Sequence, residues 1–144
     1  MKKGIFEALV SAVLVVVGVT FPINPACAQQ APTAKVIAYY FHASFRCPTC
    51  QKLEKYSKEA IETNFRDALA SGKLEFKAVN VEDKGNEHFV NDYQLYTKSL
   101  VVSLIENGRE TKSKNLTKIW DYAGDKQKFF DYVTSEINSF MKGS

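Results

Sequence analysis

Apolar and polar positions change period several times along the chain, and each change predicts an element. "KVIAYYF", residues 35–41, is a run of β-branched and aromatic residues and predicts a buried strand. Residues 42–46 break the run as a loop. From Cys47 the spacing becomes helical, with Leu53, Ala60, Ile61, Phe65, Ala68 and Leu69 on one side and Lys, Glu and Arg between them. Ser71-Gly72 ends that helix. "KLEFKAVNV", residues 73–81, alternates Leu74, Phe76 and Ala78 with charged or larger residues and predicts a second strand. After the loop "EDKGNE", Asn86 is expected to cap a short helix carrying Phe89 and Tyr93.

"SLVVSLIE", residues 99–106, predicts a buried strand, and Asn107-Gly108 predicts a tight hairpin returning through 109–114. Asn115 is expected to cap a helical turn bearing Leu116, Ile119 and Trp120. Asp125 opens a last helix, whose apolar stripe is Phe129, Val133, Ile137 and Phe140 or Met141. This order calls for a central mixed sheet flanked by helices, an α/β class. There is no internal repeat.

The start of the chain does not belong to that pattern. Met1-Lys2-Lys3 is basic, Ala8–Val17 is mostly apolar, and Pro25-Ala26-Cys27-Ala28 ends in small residues. These are the parts of a secretory signal peptide, cut after Ala28. The expected organisation is therefore signal peptide 1–28, linker 29–34 and one domain 35–144. Pro22 and Pro25 break the apolar run too early for a membrane anchor. Lipidation at Cys27 is the competing reading, and membrane association is expected only in that case. The expected localisation is periplasmic or otherwise extracytoplasmic.

Charge adds an exclusion. Removing Lys2, Lys3 and Glu7 takes the 19 basic and 16 acidic side chains to 17 and 15, a mild net +2. The signs alternate along the chain rather than forming a basic stripe, so no nucleic acid partner is expected. No Gly-rich dinucleotide fingerprint is present, and no cofactor is expected.

The candidate chemistry lies in "FRCPTC", where the first strand runs into the first helix. If export removes Cys27, Cys47 and Cys50 are the two remaining cysteines, and an oxidising compartment favours a disulfide. Three readings compete. Zinc needs four ligands, and beyond this pair only His42 and His88 are of suitable type. A purely structural disulfide closes too short a loop to stabilise much. A redox pair accounts for the junction directly. A cysteine attacks as thiolate, and the first turn of a helix lowers its pKa with free N–H groups and the positive dipole end. Cys47 is expected to attack and Cys50 to resolve. Arg46 is expected to add positive charge if its side chain turns to the sulfur, and Pro48 suits an early helical position. Pro48-Thr49 between the cysteines hints at a less reducing pair. His42 is a candidate proton acceptor for the inner thiol, with an idle loop histidine as the alternative. A soft-metal or trivalent-arsenical binding module using the same two thiols is the competing function. Tyr39, Tyr40, Phe45, Tyr93 and Tyr96 are expected mostly as core and rim, with a pocket for an aromatic ligand as the other reading.

With C-x-x-C at a strand-to-helix junction, the chain resembles the thioredoxin superfamily. Two departures stand out. The place of the usual cis-proline falls near Leu100, and "VIAYYF" lacks the usual buried acid. More narrowly, "YYFHASFRCPTCQKLEKYS", "VNVEDKGNEHFVNDYQLYTKSLVVS" and "NLTKIWDYAGDKQKFFDYV" resemble the ArsF-type family, over about residues 36–141. Those are small exported thioredoxin-like proteins labelled as subunits of a nitrophenyl-compound nitroreductase. The resemblance implies an electron-transfer subunit, exchanging reducing equivalents with a partner redox protein or a membrane thiol carrier. It also implies that a missing proline at Leu100 does not mean a dead site.

Overall fold

The computed structural model describes residues 34–142. The stretch expected to be a signal peptide and most of the expected linker therefore lie outside the described residues. Strand β1 (Ala34–His42) begins one residue before the predicted strand, at the last position assigned to the linker. Helices α1 (Pro48–Asn64) and α2 (Arg66–Ala70) follow, then strand β2 (Leu74–Asn80), helix α3 (His88–Asp92), strand β3 (Ser99–Glu106) and strand β4 (Arg109–Asn115). A single 3-10 turn at Thr117–Ile119 leads to helix α4 (Lys126–Met141).

The four strands form one sheet in the order β2-β1-β3-β4. β1 is parallel to β2 and antiparallel to β3, with Tyr40 opposite Ala78 on one side and Leu100 on the other. β3 and β4 are antiparallel, with an irregularity at Leu104/Ile105. This mixed sheet, flanked by helices and with C-x-x-C at the start of the first helix, is the thioredoxin-like fold.

Alternation sorts the side chains onto two faces. Val36, Ala38 and Tyr40 of β1, with Leu100, Val102 and Leu104 of β3, join the main core. Leu53, Ala60 and Ile61 of α1 and Phe129, Val133, Ile137 and Phe140 of α4 cover them. Each large apolar side chain buried there contributes roughly 1.5–3 kcal/mol of transfer free energy. The other face carries an aromatic cluster, with Phe41 of β1 5.1 Å from Phe89 and 5.4 Å from Tyr93 (ring centroids). This is where the short helix α3 rests.

Three local expectations change. The helix predicted from Cys47 to Ser71 is two helices, because the backbone leaves helical angles at Phe65 (φ −131°, ψ 33°), whose ring is buried. Asn86 does not cap α3: Glu87 holds that place, and Asn86 Nδ2 instead donates to the Asn80 carbonyl at 3.0 Å. Asn115 is the last residue of β4 and its amide donates to Ser99 Oγ at 3.4 Å, while Leu116 precedes the 3-10 turn. Asp125 caps α4 as expected, its carboxylate accepting from the Lys128 N–H at 3.1 Å. No helix among the described residues is long and apolar enough to cross a membrane.

Candidate active site

Cys47 is the N-cap of α1, and Pro48 follows at the first helical position, where a missing N–H costs nothing. The Cys50 N–H donates to Cys47 Sγ at 3.1 Å, so one of the free amides of the first turn points at that sulfur. The two cysteines form a disulfide, with Cα atoms 5.0 Å apart. Cys47 is half-buried, whereas Cys50 is only 3 % exposed. An incoming sulfur therefore meets Cys47 first. Thr49, between them, is half-buried and Pro48 is exposed.

The first turn is anchored from below. Tyr40, fully buried on β1, donates its phenol hydrogen to the Cys50 carbonyl at 2.7 Å. Burial pushes the Tyr40 phenol up to about 12, against a smaller opposing pull from the nearby Arg46 charge. The phenol thus stays a donor through the neutral range. Sequence reading placed Tyr40 among pocket or core aromatics and missed this bond. Its position on the core-facing side of the strand was the signal available.

Arg46 turns to Glu54 on α1, and the two form an ion pair. The guanidinium is thus held beside the first turns of α1 by a carboxylate that the sequence did not single out. The loop leading into the cysteines is tied to the turn after β2: the Ser44 N–H donates to Glu82 at 3.0 Å, and Asn80 Nδ2 donates to Ser44 Oγ at 3.1 Å. Hydrogen bonds from Ser44, the side-chain one first, hold the Glu82 carboxyl below the usual glutamate range.

His42 ends β1. Its Nδ1 lies 3.1 Å from the Ala43 carbonyl, an acceptor, so Nδ1 is the donor there and in the neutral ring Nε2 carries the lone pair. No hydrogen bond joins His42 to either sulfur. It lines a cavity of about 150 Å³ with Phe41, Val90, Leu95, Tyr96 and Lys98. Of the five aromatics proposed for a pocket, Tyr96 lines this cavity and a second one beside Trp120. Tyr96 and Phe45 are strongly exposed, at 93 % and 77 %. Tyr39 and Tyr93 belong to the ring cluster on the far face, 6.3 Å apart. No peptide bond among the described residues is cis, and at the first residue of β3 the Ser99 hydroxyl donates to the Thr97 carbonyl. No cluster of three or more His, Cys, Asp or Glu side chains gathers among the described residues.

No family model matches the chain, and no curated protein matches it. Among solved structures, it is similar to Trxlp from Edwardsiella tarda, with 18% identity and a TM-score of 0.43 over 74% of this chain and 87% of that one. It is also similar to oxidised thioredoxin O2 from Arabidopsis thaliana, with 9% identity and a TM-score of 0.40 over 67% and 76%. Thioredoxin from Fasciola hepatica gives 20% identity and a TM-score of 0.36 over 62% and 79%. The fold assignment itself stands on the strand order and the place of the cysteine pair.

Proposed function

We propose that the protein is a thiol–disulfide oxidoreductase of the extracytoplasmic space, in which Cys47 attacks and Cys50 resolves. The observation that carries this reading is the Cys50 amide aimed at Cys47 Sγ at the start of α1, with the Cys50 sulfur sheltered behind it. That amide favours the Cys47 thiolate when the pair is reduced.

Working as a reductant, the Cys47 thiolate attacks one sulfur of a partner disulfide. That bond breaks, a Cys47–partner disulfide forms, and the second partner sulfur leaves as thiolate and takes a proton. Cys50 then loses its proton and attacks Cys47 Sγ. The partner departs as a dithiol and the Cys47–Cys50 disulfide closes, so two electrons pass to the partner. His42, through its free Nε2, is the proposed acceptor of the Cys50 proton. The reverse sequence recharges the pair from a membrane thiol carrier or a second redox protein.

The finer reading is that of an electron-donating subunit in a nitroaromatic-reducing system of the ArsF type, with the nitro chemistry on the partner. Its support is the resemblance around "FRCPTC" and "YQLYTKSLVV", together with Leu100 in place of the usual proline. The reading predicts a dedicated partner rather than many clients. The test is trapping. Cys50→Ser should accumulate a mixed disulfide through Cys47, and Cys47→Ser should not. Trapping by neither variant would sink the proposal. A reduction potential near about −270 mV would mark a reductant, and one near about −120 mV an oxidant.

A further inference from the structure

Among the described residues the sheet has two edge strands, and they are built differently. β4 reads "RETKSKN": Arg109, Lys112 and Lys114 stud it, and all but its last residue are exposed. Repeated lysines on an edge oppose pairing with another copy. β2 carries one acid and one base, Glu75 and Lys77, between the apolar or small residues Leu74, Phe76 and Ala78.

The register determines which backbone groups of β2 are free. Val36 N–H donates to the Lys73 carbonyl at 2.8 Å, and Val36 lies opposite Leu74. In a parallel pair a residue's N–H and C=O point to the same side. Lys73, Glu75, Lys77 and Val79 therefore face β1, and Leu74, Phe76 and Ala78 turn theirs outward. Asn80 also faces out, but its carbonyl accepts from Asp83 N–H and from Asn86 Nδ2, so the turn closes that end. Among the described residues, the open stretch is Leu74–Ala78. Beside it runs a groove of about 510 Å³ whose lining includes Leu69, Leu74, Phe76 and Ala78 together with charged side chains, among them Glu54, Lys58 and Glu62.

We propose that a second copy of this chain occupies this edge, its β2 running antiparallel about a two-fold axis at Phe76. That register is self-complementary. Phe76 meets Phe76 and Leu74 meets Ala78 as hydrogen-bonded pairs, each exchanging two backbone bonds from the groups that point outward. Glu75 meets Lys77 twice, at the non-hydrogen-bonded positions where side chains come closest. Within one chain these two side chains already lie on the same face, Lys77 Nζ 3.2 Å from Glu75. Joining two four-stranded sheets this way extends each across the axis. Cys47 follows the C-terminal end of β1, which is parallel to β2, so the two disulfides fall at opposite ends of the joined sheet and both stay open.

The test is the mass of the purified protein in solution by sedimentation across a range of concentrations. A dimer is expected. In Lys77→Glu each Glu75 faces a second carboxylate, and the Kd of the dimer should rise about tenfold or more. The double exchange Glu75→Lys with Lys77→Glu restores opposite charges across the axis and should restore the dimer. Ala78→Pro removes an outward N–H that the fold itself does not use and should give a folded monomer. Disulfide exchange should persist in all of them. A wild-type protein that stays monomeric at every concentration overturns the proposal. So does a dimer that Ala78→Pro and Lys77→Glu leave unchanged.

Discussion

The phenol of Tyr40 donates to the carbonyl of Cys50 at 2.7 Å, with no solvent exposure of the tyrosine. This bond pins the start of α1, and with it the cysteine pair, to the central strand of the sheet. Tyr40→Phe keeps the ring and removes the donor. The Cys50 carbonyl keeps its helical partner, so the loss should be about 1 kcal/mol in denaturant unfolding. The sign of the pH effect follows from the raised pKa. The folded state favours the protonated phenol, so its contribution is full below the ordinary value of 10 and is lost as pH rises toward about 12. The stability gap between wild type and Tyr40→Phe should therefore narrow over that window. A gap that widens there would contradict the assignment.

Arg46 and Glu54 make the second prediction. The guanidinium is fixed beside the first turns of α1, but its charge is offset by the Glu54 carboxylate. Glu54→Gln removes the offset and should lower the Cys47 thiol pKa by about half a unit to one unit. Arg46→Ala leaves Glu54 uncompensated and should raise it. Ultraviolet thiolate absorbance of the reduced protein against pH measures both. Shifts of the same sign in the two variants would show that the pair acts on Cys47 through packing rather than charge.

These two cases also show what was legible in the sequence. Period and turn chemistry marked the strands, the hairpin and α4, because Val, Ile and Phe at fixed spacings have few other places to go. The cysteine pair was legible because a C-x-x-C after a buried strand has a physical reason to sit at a helix start. What stayed hidden depends on distance rather than local order. Nothing near Glu54 in the chain says that it turns to Arg46, and nothing near Glu82 says that it holds the Ser44 amide. Asn86 and Asn115 look like caps locally, yet tertiary partners took both side chains. Phe65 fits the helical stripe, but burying its ring coincides with the break between α1 and α2.

The hairpin tests whether stability and redox chemistry can be separated. Asn107 and Gly108 both have positive φ, 52° and 78°, which the tight β3–β4 connection requires. Nothing lies within 4 Å of a Cβ built on Gly108, so steric crowding by neighbours does not enter. The cost of Gly108→Ala is then the left-handed backbone alone, about 1–2 kcal/mol. β3 runs antiparallel to β1 and its Glu106 lies opposite Ala34, so the hairpin sits at the end of the sheet away from Cys47. Gly108→Ala should lower the denaturation midpoint and leave the reduction potential of the Cys47–Cys50 pair unchanged. Thermal or denaturant unfolding, read beside a redox equilibrium with glutathione, measures the two together. A shifted potential would mean that the far end of the sheet feeds into the cysteine site through β1, and that Tyr40 transmits strand position to the disulfide.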